Sequence, residues 1–181
     1  SVATILSEVA SGVPIVLDPV MVAKGGAALL DPSAVETLTK RLIPLATVIT
    51  PNLEEAAALL NESVATNEEE MLAQGRALLT LGSRAVLLKG GHLSTPNSPD
   101  LFLAEGDELW LPAKRVDTKN THGTGCTLSA AIAAEIAKGC DLSTAVQHAK
   151  RYVGGAIAHA DSLHIGSGHG PTHHFFDLWS K

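Results

Sequence analysis

The chain has 181 residues, 45% hydrophobic and only 3% aromatic, with nineteen Asp and Glu against thirteen Lys and Arg for a formal net charge of −6. That length suits one domain with a real core, and the apolar content excludes a disordered chain. The acidic balance and scarce aromatics argue against a nucleic-acid surface, and two cysteines exclude a disulfide framework or a Cys-rich zinc site. Reduced thiols suggest a cytoplasmic setting, and no apolar run approaches the roughly 18 residues of a membrane span.

Val2 to Ala10 reads as a helix, with Val2, Ile5, Leu6 and Val9 at helical spacing. Gly12 and Pro14 stop it, and Ile15-Val16-Leu17 follows as a strand. A helix that leads into a buried strand ordinarily has a strand before it, so the chain reads as the later part of a longer one. Asp31-Pro32 starts a helix expected to run to about Leu42, with Asp as N-cap and Pro at the first helical position. Ala46 to Thr50 is a short β-branched run typical of a buried parallel strand. Asn52 to Leu60 is helical, and Thr66 with Glu69 predicts a capping box for a helix ending near Leu81.

Arg84 to Lys89 is a third buried strand, closed by Gly90-Gly91. Leu101–Ala104 and Leu109–Pro112 flank Glu105-Gly106-Asp107-Glu108 as a hairpin. A small-residue helix spans about Thr124 to Lys138 with Gly139 just past its end, and Asp141 opens a last helix to about His159. The Gly/His-rich tail from Gly166 to His174 reads as loop. Strand–helix alternation implies an α/β fold with a mainly parallel sheet, in which ligands sit at the carboxyl ends of the strands. Asp18, Asn52 and Lys89 stand at three such ends, with Glu55 one helical turn beyond Asn52.

The segment Asp117-Thr-Lys-Asn-Thr-His-Gly-Thr-Gly-Cys-Thr127 is a glycine-rich turn entering a helix. Unpaired N–H groups at a helix start attract anions, and Gly123 and Gly125 leave room for phosphate oxygens. Cys126 lies in the first turn, where the helix dipole favours a thiolate able to accept a proton from a hydroxyl. No P-loop, dinucleotide fingerprint, H-E-x-x-H or G-x-S-x-G motif occurs.

The segments Asp18-Pro-Val-Met-Val-Ala-Lys-Gly-Gly26, Thr50-Pro-Asn-Leu-Glu-Glu-Ala56, Lys89-Gly-Gly-His92 and 117–127, with the Gly168-His-Gly-Pro171 and His174-Phe175 tail, resemble hydroxymethylpyrimidine/phosphomethylpyrimidine kinases of thiamine biosynthesis, in the ribokinase-like superfamily. The resemblance covers nearly the whole chain. It implies a three-layer α/β/α fold, of which residues 1–181 would be the C-terminal two-thirds of one domain, lacking the glycine-rich first third. Relatives in the superfamily usually carry Asp where Cys126 stands, and some pyridoxal kinases also carry Cys.

The resemblance also implies ATP and Mg2+ as cofactors, with K+ as a further candidate, a small pyrimidine substrate and a homodimer. It assigns Cys126 as the base beside the acceptor, and the amides of Gly123, Thr124, Gly125 and Cys126 as an anion hole. Asp18 and Glu55 would serve the metal, Asn52 the magnesium waters, Thr121, Lys89 and Lys150 the nucleotide, and Val20 the substrate ring; Lys89 would also neutralise transferring charge. Plainer roles compete. Cys126 could be a buried thiol, Asp18 and Asn52 simple caps, Glu55 a solvated face and Lys150 a snorkelling surface residue. His164, His169, His173 and His174 read as loop residues rather than metal ligands. His122 reads as part of the turn, with a Cys126–His122 hydrolase as the rival. Two more functions compete with the pyrimidine kinase: phosphorylation of pyridoxal, and a non-catalytic fragment that needs its missing N-terminal part.

Overall fold

The computed structural model describes residues 2–21, 29–91, 93, 97 and 99–179. Residues 22–26 of the first motif segment and His92 of the third lie outside them. The chain divides into two compact units, Ser1–Pro112 and Ala113–Lys181.

The first unit opens with α1 (Val2–Val9), ended by Gly12 at φ +78°. Its sheet is mixed, in the order β1 (Val16–Leu17), β2 (Val48–Ile49), β3 (Ala85–Leu88), β4 (Asp100–Ala104) and β5 (Asp107–Leu111). β1, β2 and β3 are parallel, with Val16 opposite Val48 and Ile49 opposite Val86. β4 and β5 add an antiparallel hairpin to β3. Every residue of β2 and β3 is buried, as a strand covered on both faces requires. The core gathers Ile43, Ile49, Leu53, Met71, Leu78, Val86, Leu88 and Leu101 around the sheet. Each such side chain contributes about 1.5–3 kcal/mol of apolar burial.

Local signals set most boundaries, with three corrections. Asp31 caps α2 (Pro32–Thr37), accepting from the Ala34 amide, but the α geometry ends at Thr37. The path continues as a π turn (Leu38–Leu42) and a 3₁₀ turn (Ile43–Leu45). Pro44 cannot donate into an α ladder, so the last turns adjust around it.

The cap of α4 (Glu68–Leu79) is Asn67, not Thr66: its side chain accepts from the Glu70 amide, while the Glu70 carboxylate accepts from Thr66 N–H and O–H. Asn is among the strongest N-caps; the cap shifts by one residue, while the returning carboxylate of Glu70 reaches Thr66 rather than the Asn67 amide. Those bonds hold the Glu70 carboxyl below its ordinary range, the Thr66 amide contributing most. The hairpin loop is Glu105-Gly106 alone, since Ala104 and Asp107 already pair; Gly106 takes φ +82°.

The second unit holds α5 (Thr124–Ala137) and α6 (Leu142–Ala158), joined by a short turn through Gly139. Asp141 caps α6 through the Thr144 amide and hydroxyl. α5 buries only Leu128 and Ile132, whereas α6 buries Ala145, Val146, Ala149, Val153 and Ala156. A 3₁₀ turn (Ala160–Ser162) leads into the tail. No helix among the described residues is long and apolar enough to cross a membrane.

Candidate active site

In the first unit, three parallel strand ends bring Asp18, Thr50 and Lys89 together. The β2–β3 ladder continues one step past its strands, with Asn52 bridging Lys89 and the Lys89 amide bonded to the Pro51 carbonyl at 2.8 Å. Lys89 Nζ donates to Asp18 Oδ1 at 3.0 Å, and the Thr50 hydroxyl donates to the same oxygen at 3.0 Å. Glu55 Oε2 lies 3.9 Å from Lys89 Nζ. The side chains of Lys89, Asp18 and Glu55 are only 16%, 12% and 4% exposed, so this is a largely dry cluster of charge.

Asn52 and Glu55 owe their positions to helix capping. α3 (Leu53–Leu60) begins with a reciprocal box: Asn52 Oδ1 accepts from the Glu55 amide and Glu55 Oε2 accepts from the Asn52 amide, both at 2.8 Å. The competing reading of Asn52 as a cap therefore holds locally, and Glu55 is buried rather than on a solvated face. Burial raises the Glu55 carboxyl above its ordinary range; the Asn52 amide and Lys89 oppose this, and Asp18 adds to it.

With both carboxylates ionised, one lysine leaves the cluster a negative surplus. Asp18 Oδ2 has no hydrogen-bond donor among the described residues. Carboxylate oxygens with uncompensated charge are the donor type that Mg2+ accepts, so these residues fit a magnesium ion. Val20 is exposed beside the cluster, its amide bonded to the Asp18 carbonyl at 2.9 Å.

Gly90 lets the strand end pass the Pro99 carbonyl, whose oxygen would lie 1.9 Å from an added Cβ. Its amide donates to Asp100 Oδ1 at 3.0 Å.

In the second unit, the glycine turn is half-buried at Gly123–Gly125, with Cys126 exposed, and is held from outside. Gly123 is the N-cap of α5 at φ +82°, with no side chain to cap the helix. The first closed helical bond runs from the Thr127 amide to the Gly123 carbonyl at 2.9 Å. The Thr124 amide makes a long 3.4 Å contact to the Thr121 carbonyl. The amides of Gly123, Gly125 and Cys126 meet no acceptor among the described residues. Cys126 is an exposed free thiol, not a packed core residue.

The turn is braced by a network in which only Asp161 lies outside the motif segments read from the sequence. Asn120 Nδ2 donates to Asp161 Oδ1 at 2.8 Å, and the Thr118 hydroxyl donates to the same oxygen. Asn120 Oδ1 accepts from the Gly170 amide at 2.9 Å. His122 and Pro171 form a parallel bridge, with the His122 amide donating to the Gly170 carbonyl at 3.1 Å. The tail is thus loop, as expected, but loop that docks on the turn. Loops around Thr118, Lys119, Asn120, Asp161, His164 and Gly168 enclose a groove of about 660 Å3.

His122 meets the tail through its backbone, and no hydrogen bond joins its ring to Cys126 among the described residues; the hydrolase reading lacks its nucleophile–base pair. His173 is buried, accepting from the Phe175 amide and packing edge-on against Trp179. Lys150 lies half-buried in the middle of α6. Thr121 is half-buried, its carbonyl accepting from the Thr124 hydroxyl at 2.8 Å. Sequence reasoning passed over Thr50, which lies inside a quoted motif, and Asp161, which carries no local signal because its partners lie 41 and 43 residues away.

Three parallel strands continued by an antiparallel hairpin, with charged groups at the strand ends and a glycine turn entering a helix, constitute the ribokinase-like fold. Pyridoxal kinase from Staphylococcus aureus in complex with AMP-PCP and pyridoxal superimposes with a TM-score of 0.86 at 30% identity, over 97% of this chain and 62% of that one. Phosphomethylpyrimidine kinase from Clostridium difficile 630 does so with a TM-score of 0.70 at 36% identity, over 84% and 60%. The sequence model of the phosphomethylpyrimidine kinase family matches residues 1–173, and the chain belongs to that family. The hydroxymethylpyrimidine/phosphomethylpyrimidine kinase of Salmonella typhimurium is 56% identical over 166 residues, which are 91% of this chain and 62% of that protein. The chain therefore spans less than two-thirds of the length of that relative.

Proposed function

We propose that the protein to which this chain belongs phosphorylates 4-amino-5-hydroxymethyl-2-methylpyrimidine from ATP, and then phosphorylates the resulting monophosphate, in thiamine biosynthesis. The observation that carries this reading is the turn at 123–126, where unspent backbone amides stand beside an exposed thiol. The 56% identity to a relative of that name supports it.

Phosphoryl transfer asks the protein mainly for positioning and charge neutralisation. The amides of Gly123, Thr124, Gly125 and Cys126 hold the oxygens of the transferred group. Cys126 Sγ receives the proton of the substrate hydroxyl as its oxygen attacks the γ-phosphorus and ADP leaves. Lys89 offsets phosphate charge, and Lys150 and Thr121 serve the nucleotide, for which the groove beside Asn120 is the candidate seat. Asp18 and Glu55 would hold magnesium, with Asn52 toward its waters, and the ion would supply positive charge to the phosphates. Val20 lies beside the substrate ring. A cytoplasmic homodimer in which residues 1–181 form the larger part of one kinase domain completes the reading.

Cysteine rather than aspartate suits the second step, whose nucleophile is itself an anion. A fixed carboxylate ~4 Å away would repel it by about 4 kcal/mol at an effective dielectric of ~20; a neutral thiol would not. The test is ATP-dependent conversion of the pyrimidine alcohol to mono- and pyrophosphate, with pyridoxal as competitor. Preferential pyrimidine turnover supports the assignment. Preferential pyridoxal turnover replaces it with the second reading, which the likeness to the Staphylococcus aureus pyridoxal kinase favours. No turnover of either overturns both.

A further inference from the structure

At the end of the second unit where α5 turns into α6, three side chains with metal-ligating atoms meet that the phosphoryl chemistry does not use. Glu135 lies in the last turn of α5, Cys140 in the connecting turn and His148 in the second turn of α6. His148 Nδ1 lies 2.8 Å from Glu135 Oε2, and Cys140 Sγ lies 3.6 Å from the same oxygen. The three ligand atoms all fall within 4.8 Å of one another. We infer that Glu135, Cys140 and His148 form a binding site for one zinc-type divalent ion.

The spacing fits the ion. Zinc bonds of ~2.3 Å to sulfur and ~2.0–2.1 Å to nitrogen or oxygen place tetrahedral ligands about 3.3–3.6 Å apart. The sulfur–oxygen separation already matches, and the nitrogen–oxygen pair has to open by roughly half an ångström. One thiolate, one imidazole and one carboxylate select zinc or cobalt over magnesium, which prefers oxygen alone. The site is therefore chemically distinct from the Asp18–Glu55 cluster.

The neighbouring charges allow it. Lys138 pairs with Glu135 through Oε1, which leaves Oε2 to face the other two ligands. Asp141, next in sequence to Cys140, is committed to the Thr144 amide and hydroxyl, so the fourth position falls to water. The bound ion displaces the thiol proton to solvent, and the hydrogen that His148 Nδ1 shares with Glu135 leaves as well, the neutral ring keeping its proton on Nε2. Glu135 and His148 also line an apolar groove of about 400 Å3 between α5 and α6, onto which the water position would open. Ligands at 135, 140 and 148 would staple the α5–α6 turn, and α5 carries the glycine turn at its other end.

The test uses untagged protein kept reduced with a phosphine and titrated with Co2+. The expected result is one cobalt per chain, with a thiolate-to-cobalt absorption in the near ultraviolet that Zn2+ bleaches. The band should persist in Cys126→Ser, which removes the other thiol, and vanish in Cys140→Ser. His148→Gln should weaken binding by at least the roughly tenfold to hundredfold that loss of even an outer-shell partner costs. Circular dichroism of each variant shows that its fold is intact, and His148→Gln, at a half-exposed helix position, carries the test if Cys140→Ser does not fold. Absence of the band in the unsubstituted protein, its survival in Cys140→Ser, or unchanged affinity in His148→Gln would overturn the assignment.

Discussion

The strand-end cluster of the first unit and the glycine turn of the second are opposite solutions to the placement of charge. In the cluster, Asp18, Thr50 and Lys89 meet through side chains and Asn52 and Glu55 through side-chain-to-amide bonds, all in a nearly dry setting. At the turn the polar groups are backbone amides, those of Gly123, Gly125 and Cys126 without an acceptor among the described residues, and the bracing side chains are Asn120 and Asp161. A cluster of paired side chains is costly to break, because removing one partner strands another. A row of amides is hard to break by substitution at all, and is disturbed by changing its backbone shape or its bracing.

Function should break furthest at the turn. On the proposed reading, Cys126→Ala lowers kcat by about 10²–10⁴-fold, the range for losing a positioned general base, with little change in Tm. Cys126→Asp should spare the first phosphorylation more than the second; equal losses in single-turnover assays of the two steps would remove the electrostatic reason for a thiol. Stability should break furthest in the cluster. Lys89→Met leaves Asp18 and Glu55 without their cation and should cost about 3–5 kcal/mol in urea denaturation.

Asn120→Ala is the intermediate case. It removes hydrogen bonds to Gly170 and Asp161 and should cost about 1–3 kcal/mol. It should also raise KM for ATP, a change that a purely structural loss elsewhere in the unit would not produce. The smallest effect sharpens the cluster's electrostatics. The folded-state pKa of Glu55 lies above its unfolded value, so the folded protein holds that proton more tightly and loses stability as pH rises from about 4.5 through the raised value. Glu55→Gln keeps an acceptor for the Asn52 amide and removes the charge. Its stability curve should be flatter over that window; a curve parallel to the parent's would mean that burial does not strain this carboxylate.

Most elements were legible because their signals are local. Asp31 before Pro32, Asn52 before an apolar helix and Gly139 after a small-residue one all act within a turn of where they stand. The N-cap of α4 slipped by one residue because Thr66 and Asn67 are adjacent capping residues with Glu69 and Glu70 three residues on, and only the packed helix chooses between them. Asp18, Asn52 and Lys89 could be read as a group because parallel strands deliver their carboxyl ends to one edge. What no local pattern carried was the choice of partners: that Thr50 would share an oxygen with Lys89, or that Asp161 would hold Thr118 and Asn120. Those are separations of 39 and about 40 residues bridged by tertiary packing, and a single sequence carries no periodicity at that range.

Gly170 has its own consequence for biosynthesis. An added Cβ there would lie 2.5 Å from Asn120 Oδ1, so any larger residue would have to push aside the side chain, fifty positions earlier, that accepts from the Gly170 amide. A ribosome therefore releases the 120–126 segment well before the strand of tail that shapes it. Until residues 170–172 emerge, the nascent helix start lacks the contacts that Gly170 makes with Asn120 and His122.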